Sequence, residues 1–134
     1  MHFHIWKTFI LFFMDDSIVV VDDDTDILDV FTEFLKIKGF NIAGTGVNGK
    51  EAVELYKKHS PTVILLDVMM PEYDGIYALY HIRQIDPDAV IIMVTADLSS
   101  DTQKKLKEYN ASAVINKPYD IDVVVDTINK IINN

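Results

Sequence analysis

A small set of residues in this chain has the side chains and the placement for phosphoryl chemistry. Asp22 and Asp23 close the apolar run Ile18-Val19-Val20-Val21, and Asp67 closes Val63-Ile64-Leu65-Leu66. Thr95 follows Val90-Ile91-Ile92-Met93-Val94, and Lys117 follows the short run Ala113-Val114-Ile115. Carboxylates gathered at one place repel each other, and stay ionised together only if a cation neutralises them. Hard oxygen donors without His or Cys favour Mg²⁺, with Mn²⁺ as the alternative, over zinc. A carboxylate beside such an ion can attack phosphorus and yield an acyl phosphate. The phosphoryl group carries charge on three equatorial oxygens. The metal, the Lys117 ammonium, and the Thr95 hydroxyl with nearby backbone N–H groups would each stabilise one.

Each residue also has an ordinary use. An acid after a strand often caps the next helix, and Asp24 or Thr25 is expected to do so here. Thr95 alone reads as a loop hydroxyl and Lys117 alone as a solvated charge. The functional reading rests on all of them standing at the ends of successive apolar runs.

Those runs alternate with stretches of helical periodicity. A helix is predicted from about Thr25 to Lys38, with Ile27, Leu28, Phe31, Phe34 and Leu35 on one face and Gly39 as its stop. Phe40 to Ala43 reads as a short second strand, and Asn48 to His59 as a helix burying Ala52, Val53 and Tyr56. A loop with Pro71 and Gly75 leads into a third helix carrying Ile76, Leu79 and Tyr80. The fourth helix, about Ser99 to Tyr109, is anchored only by Leu106 and Tyr109, and the fifth, Ile121 to Ile132, is the most clearly amphipathic. Strands alternating with helices imply a parallel sheet with right-handed crossovers. The first, third and fourth strands are apolar on both faces, as in a sheet covered on both sides. The expected fold is therefore α/β, a flavodoxin-like (βα)5 doubly wound sheet of strand order 2-1-3-4-5. Ligands of such sheets bind at the carboxyl ends of the strands, where Asp22, Asp23, Asp67, Thr95 and Lys117 all fall.

The 134 residues suit one domain. A net charge of −9 argues against direct nucleic-acid binding. The absence of cysteine excludes disulfides and thiol catalysis and fits a cytoplasmic protein. Residues 1–16 form an apolar extension, MHFHIWKTFILFFM, broken off by Asp15 and Asp16; residues 17–134 hold the regular pattern. The apolar stretch is shorter than the ~20 residues a spanning helix needs, so no transmembrane segment is expected. It either forms a docking patch, with Ile5, Trp6, Phe9, Ile10 and Phe13 at helical spacing, or lies upstream of a natural start at Met14; the second is favoured. His59 and His81 are expected in solvated helix positions, and His2 and His4 as adventitious metal ligands at most.

The strings Val20-Val21-Asp22-Asp23-Asp24, Leu65-Leu66-Asp67-Val68-Met69-Met70-Pro71 with Asp74-Gly75, Val94-Thr95-Ala96 and Lys117-Pro118-Tyr119 together resemble the receiver domains of two-component response regulators. The resemblance covers residues 17–132. It implies that Asp67 is the phosphoacceptor, charged by a histidine kinase or phosphotransfer protein. It implies that Mg²⁺ is held by Asp23, Asp67 and the Met69 backbone carbonyl, with Asp22 assisting, and that Thr95 and Lys117 bind phosphoryl oxygens. The Lys117–Pro118 bond resembles the cis peptide of the family. Such a protein is a signalling domain rather than an enzyme with an external substrate. Its output would run through the face of the fourth helix, fifth strand and fifth helix to a downstream protein. Because the pattern ends with the fifth helix, a stand-alone receiver is expected. Two positions depart from the family: Val114 stands where many receivers carry an aromatic, and Met69 is poorly suited to hold an attacking water.

Two other classes compete. Asp22-Asp23-Asp24 superficially matches the D-x-D of haloacid-dehalogenase-like phosphatases, but Asp26 stands where Thr or Val belongs. A pseudo-receiver, a pure binding module, usually lacks one of the acids or the lysine, and this chain keeps them all.

Overall fold

The computed structural model describes residues 16–133. The N-terminal docking patch and the His2–His4 pair read from the sequence lie outside these residues. The chain runs β1 (Ser17–Val21), α1 (Thr25–Ile37), β2 (Asn41–Gly46), α2 (Gly49–His59), β3 (Val63–Asp67), α3 (Gly75–Ile85), β4 (Ile91–Thr95), α4 (Ser100–Glu108), β5 (Ala113–Asn116) and α5 (Ile121–Ile132). The strands form one parallel sheet in the order β2-β1-β3-β4-β5. This is the expected flavodoxin-like arrangement.

Helix starts are set by local chemistry. Asp24, not Thr25, caps α1, its carboxylate accepting the N–H groups of Asp26 and Ile27 at 3.1 and 3.2 Å. Asn48 caps α2 from the Glu51 N–H, and the Glu51 carboxylate accepts the Val47 N–H in return. Asp74 and Ser99 cap α3 and α4. Asp120 precedes α5 without a side-chain cap bond. Gly39, at φ +96°, makes the left-handed turn that ends the first helical unit.

The sheet divides the core in two. Val19, Val21, Ile64, Leu66 and Met93 face the layer of α2, α3 and α4. Ile18, Val20, Leu65, Ile92 and Ile115 face α1 and α5. Every residue of β3 and β4 is buried, as a strand covered on both faces requires. The loop after β3 is seated directly on α3: a Cβ at Gly75 would collide with the Asp67 carbonyl oxygen and the Val68 Cα. The Gly75 N–H donates to the Val68 carbonyl at 2.9 Å.

Several sequence expectations need correction. Ile27 and Phe34 are 45% and 44% exposed, so α1 buries Leu28, Phe31 and Leu35 but not the whole apolar face. Tyr80 is 43% exposed and stacks edge-on with Tyr109. β2 begins after Phe40 and runs on to Gly46, because the register with β1 shifts at Ile18/Val19 and carries Gly44, Thr45 and Gly46 into the sheet. Asp67, Thr95 and Asn116 are the last residues of their strands rather than the first of their loops. His59 and His81 are half-buried. His59 lies against Gly44, and His81 stacks on Tyr77 at 4.2 Å.

Tyr56 ties α2 to the end of α3, its hydroxyl donating to the Asp86 carboxylate at 2.6 Å. That bond holds the Asp86 carboxyl below its usual range. A depressed acid adds stability above its unfolded pKa and loses it as pH falls through the folded value. Tyr56→Phe is therefore expected to cost about 1 kcal/mol at neutral pH, measured by urea unfolding. The gap to the wild type should close as pH drops below about 4. A gap constant down to pH 2 would show that the bond to the ionised acid contributes nothing.

Candidate functional site

The carboxyl ends of β1, β3, β4 and β5 converge on Asp67. β1 and β4 flank β3, so the Asp22–Asp23 pair lies on one side of Asp67 and Thr95 on the other. Lys117, one residue beyond β5, crosses the end of β4, and its Nζ meets the Asp67 Oδ2 at 2.9 Å. Its backbone N–H donates to the Thr95 carbonyl at 2.8 Å, fixing where the side chain departs. The Lys117–Pro118 bond is cis.

Asp67 is buried, 7% exposed, at the bottom of the pocket. Its Oδ1 accepts the Met69 N–H at 3.3 Å while Oδ2 takes the lysine. Met69 itself is exposed. Asp22 is half-buried, held by a bond from the Asp24 N–H to its Oδ1 at 2.9 Å and by its own N–H donating to the Gly46 carbonyl. Asp23 is exposed. Carboxylate oxygens of Asp22, Asp23 and Asp67 lie within 4.8 Å of one another. This all-oxygen donor set of three acids fits a hard divalent cation.

The electrostatics match that crowding. Burial pushes the Asp22 carboxyl above its ordinary range; the Asp24 N–H pulls it back and the charge of Asp67 adds to the rise. For Lys117, burial is the largest single influence and opposes the charge. The hydrogen bond and charge of Asp67, with Asp22 behind it, outweigh burial and hold the ammonium above the usual lysine range.

Thr95 is fully buried and makes no direct bond to Asp67; its hydroxyl oxygen accepts the Asp97 N–H at 2.8 Å. Asp97 in turn accepts the Thr102 hydroxyl at 2.6 Å and the Ser99 N–H at 2.8 Å, and its carboxyl is held low, first by Thr102. This link between β4 and α4 was not read from the sequence. Tyr119, quoted from the sequence only as part of the Lys117-Pro118-Tyr119 string, lines the small space beside Asp22 and Asp67 and packs edge-on to Phe31 at 5.9 Å. Val114 is 38% exposed on the edge strand β5. No described helix is long and apolar enough to cross a membrane.

A family model described as the response regulator receiver domain matches residues 18–129. The chain is 38% identical over 120 residues to the chemotaxis protein CheY of Bacillus subtilis (strain 168), covering 90% of this chain and all, 100%, of that protein. It is 32% identical over 117 residues to sporulation initiation phosphotransferase F of the same organism, covering 87% of this chain and 94% of the other. Among solved structures it resembles the CheX–CheY–BeF3–Mg²⁺ complex from Borrelia burgdorferi, with a TM-score of 0.80 at 32% identity, covering 86% of this chain and 87% of that one.

Proposed function

Starting from the fact that this chain belongs to the response regulator receiver family, we propose that it accepts a phosphoryl group on Asp67 from a histidine kinase or phosphotransfer protein. The observation that carries this reading is the pocket itself: a buried carboxylate with an ammonium on one oxygen and two further acids within 4.8 Å. In the transfer, an Asp67 oxygen forms a bond to phosphorus as the bond from phosphorus to the donor imidazole nitrogen breaks. The electron pair leaves with that nitrogen. Asp22, Asp23 and Asp67, with the Met69 carbonyl, would hold the divalent cation, Mg²⁺ or else Mn²⁺. When bound, that cation supplies positive charge that offsets the three acids and the incoming phosphoryl oxygens.

Lys117 then moves its ion pair from the Asp67 oxygen to a phosphoryl oxygen. Thr95 offers its hydroxyl hydrogen to another, since its oxygen already accepts from Asp97. The chain thus acts as a signalling domain whose chemistry is confined to its own phosphorylation. We place its output on α4, β5 and α5, beside Thr95 and Lys117, toward a downstream protein. Val114 cannot provide a swinging ring, so the Thr95–Asp97–Thr102 chain is the path from pocket to α4.

Phosphotransfer from a labelled phosphohistidine donor tests this reading. The label is expected on the chain only with Mg²⁺ or Mn²⁺ present, and in an alkali-labile form. Asp23→Ala should abolish the metal dependence. Mg²⁺ should also bind more weakly as pH falls, because protons compete for the raised Asp22 carboxyl. An Asp23→Ala variant with an unaltered Mg²⁺ titration would remove Asp23 from the metal site.

A further inference from the structure

We propose that Tyr119 is the ring through which α1 feels whether the pocket is occupied, a role that rests on Asp67 being the phosphoacceptor. Tyr119 stands two residues beyond Lys117, in the turn between β5 and α5, and is half-buried. With Phe31 it forms a partition. On the inner side is a space of about 20 Å³ that these two rings share with Asp22, Asp67, Leu28 and Leu65. On the outer side an open groove of about 450 Å³ runs along α1, where the same two rings meet Ile27, Val30, Phe34 and Ile121. Phe31 and Tyr119 alone border both. Val114 borders neither.

The ring has one direction in which to turn. The inner space has room for about one water, and Val20, Leu28 and Leu65 behind it are 4%, 5% and 2% exposed. A close-packed wall of this kind does not yield to an aromatic ring. A phosphoryl group on Asp67 would add bulk and charge to the same side. Outward, the ring meets Ile27 and Phe34, which are 45% and 44% exposed and leave it space. The hold on the turn changes in the same event. Lys117 is tied to Asp67 at 2.9 Å, and that tie ends when the ammonium passes to a phosphoryl oxygen. Beyond Tyr119, α5 starts without a side-chain cap, alone among the five helices, so no cap bond fixes the turn from its far end. Tyr119 and Phe31 meet edge to face, with planes at 85°, an arrangement in which the rotation of one ring displaces the other. Phe31 lies on the buried face of α1, so its displacement reaches that helix.

Fluorine NMR of the full chain grown with 3-fluorotyrosine tests the relay. The chain has six tyrosines, and Tyr119→Phe identifies the resonance of Tyr119. With Mg²⁺ and acetyl phosphate, that resonance is expected to move, and amide exchange over residues 28–37 to change about threefold or more. Tyr119→Leu, which keeps apolar bulk without a ring, should abolish the exchange response of α1. Tyr119→Phe, which keeps the ring, should preserve it. Phe31→Leu should leave the Tyr119 shift and abolish the response beyond it. Each response is the difference with and without phosphodonor in one variant, so a plain loss of stability does not imitate it. A Tyr119 resonance unmoved in a chain labelled on Asp67 would overturn the proposal, as would an α1 response that survives Tyr119→Leu. Loss of the response in Tyr119→Phe would move the role to the hydroxyl and overturn the ring. A chain that takes up no label fails the phosphoacceptor reading itself, whereas a labelled chain with α1 unmoved fails this proposal alone.

Discussion

Asp67→Asn is expected to take up no label from a small phosphodonor and none from a phosphohistidine protein, while remaining folded. The amide keeps the shape of a side chain that is 7% exposed, so packing around it changes little. It removes the charge that meets Lys117 at 2.9 Å, and it also removes one of three mutually repelling acids. The net effect on stability should be small, because the lost ion pair and the relieved repulsion oppose each other. The chemical effect should be complete. The amide oxygen is a poor nucleophile, and neither Asp22 nor Asp23 makes the direct bond to Lys117 that Asp67 makes. Labelling at the wild-type rate in this variant would end the assignment of Asp67. Label shifted to Asp22 or Asp23 would show that the pocket, rather than one residue, selects the acceptor.

Gly75→Ala should be among the most damaging single-methyl changes at the described glycines, alongside Gly49→Ala, whose Cβ would meet the Asp74 and Tyr73 carbonyls. At Gly75 the added Cβ would meet the Asp67 carbonyl and the Val68 Cα, backbone atoms of a buried strand end that cannot step aside as a side-chain tip can. Overpacking of this kind costs about 1–3 kcal/mol, and relief would displace the peptide of Asp67 and is expected to slow labelling there. Gly39→Ala makes the contrast. There the Cβ meets nothing within 4 Å, and only the backbone conformation at φ +96° opposes it. That cost is about 1 kcal/mol, with no effect on labelling. Urea unfolding and acetyl-phosphate labelling of the two variants compare the mechanisms directly. Equal losses of stability and equal labelling would mean that the β3–α3 contact is looser than its geometry implies.

The sheet was legible because β3 and β4 are apolar at every position and the acids that end β1 and β3 stop those runs sharply. The strand-end residues were legible for the same reason: a doubly wound sheet leaves few places for a carboxylate that follows such a run. α1 was misjudged because it is apolar on two faces. Periodicity identifies both, but only the assembled structure shows that Leu28, Phe31 and Leu35 meet the sheet while Ile27 and Phe34 look outward. β2 was cut short because Gly44 and Gly46 have little strand preference of their own and are drawn in by pairing with Val19 and Val21. The Asp97–Thr102 bond and the edge-on contact of Tyr119 with Phe31 were missed because they depend on loop paths, which composition does not encode.

The bond between Lys117 and Asp67 joins residues 50 positions apart, which sets an order of assembly during synthesis. At about 5–20 residues per second, Asp67 leaves the ribosome several seconds before Lys117. A nascent chain can therefore bring its three acids together while the ammonium that answers them has yet to be made. The carboxylate side of the pocket is thus synthesised before the ammonium that pairs with Asp67.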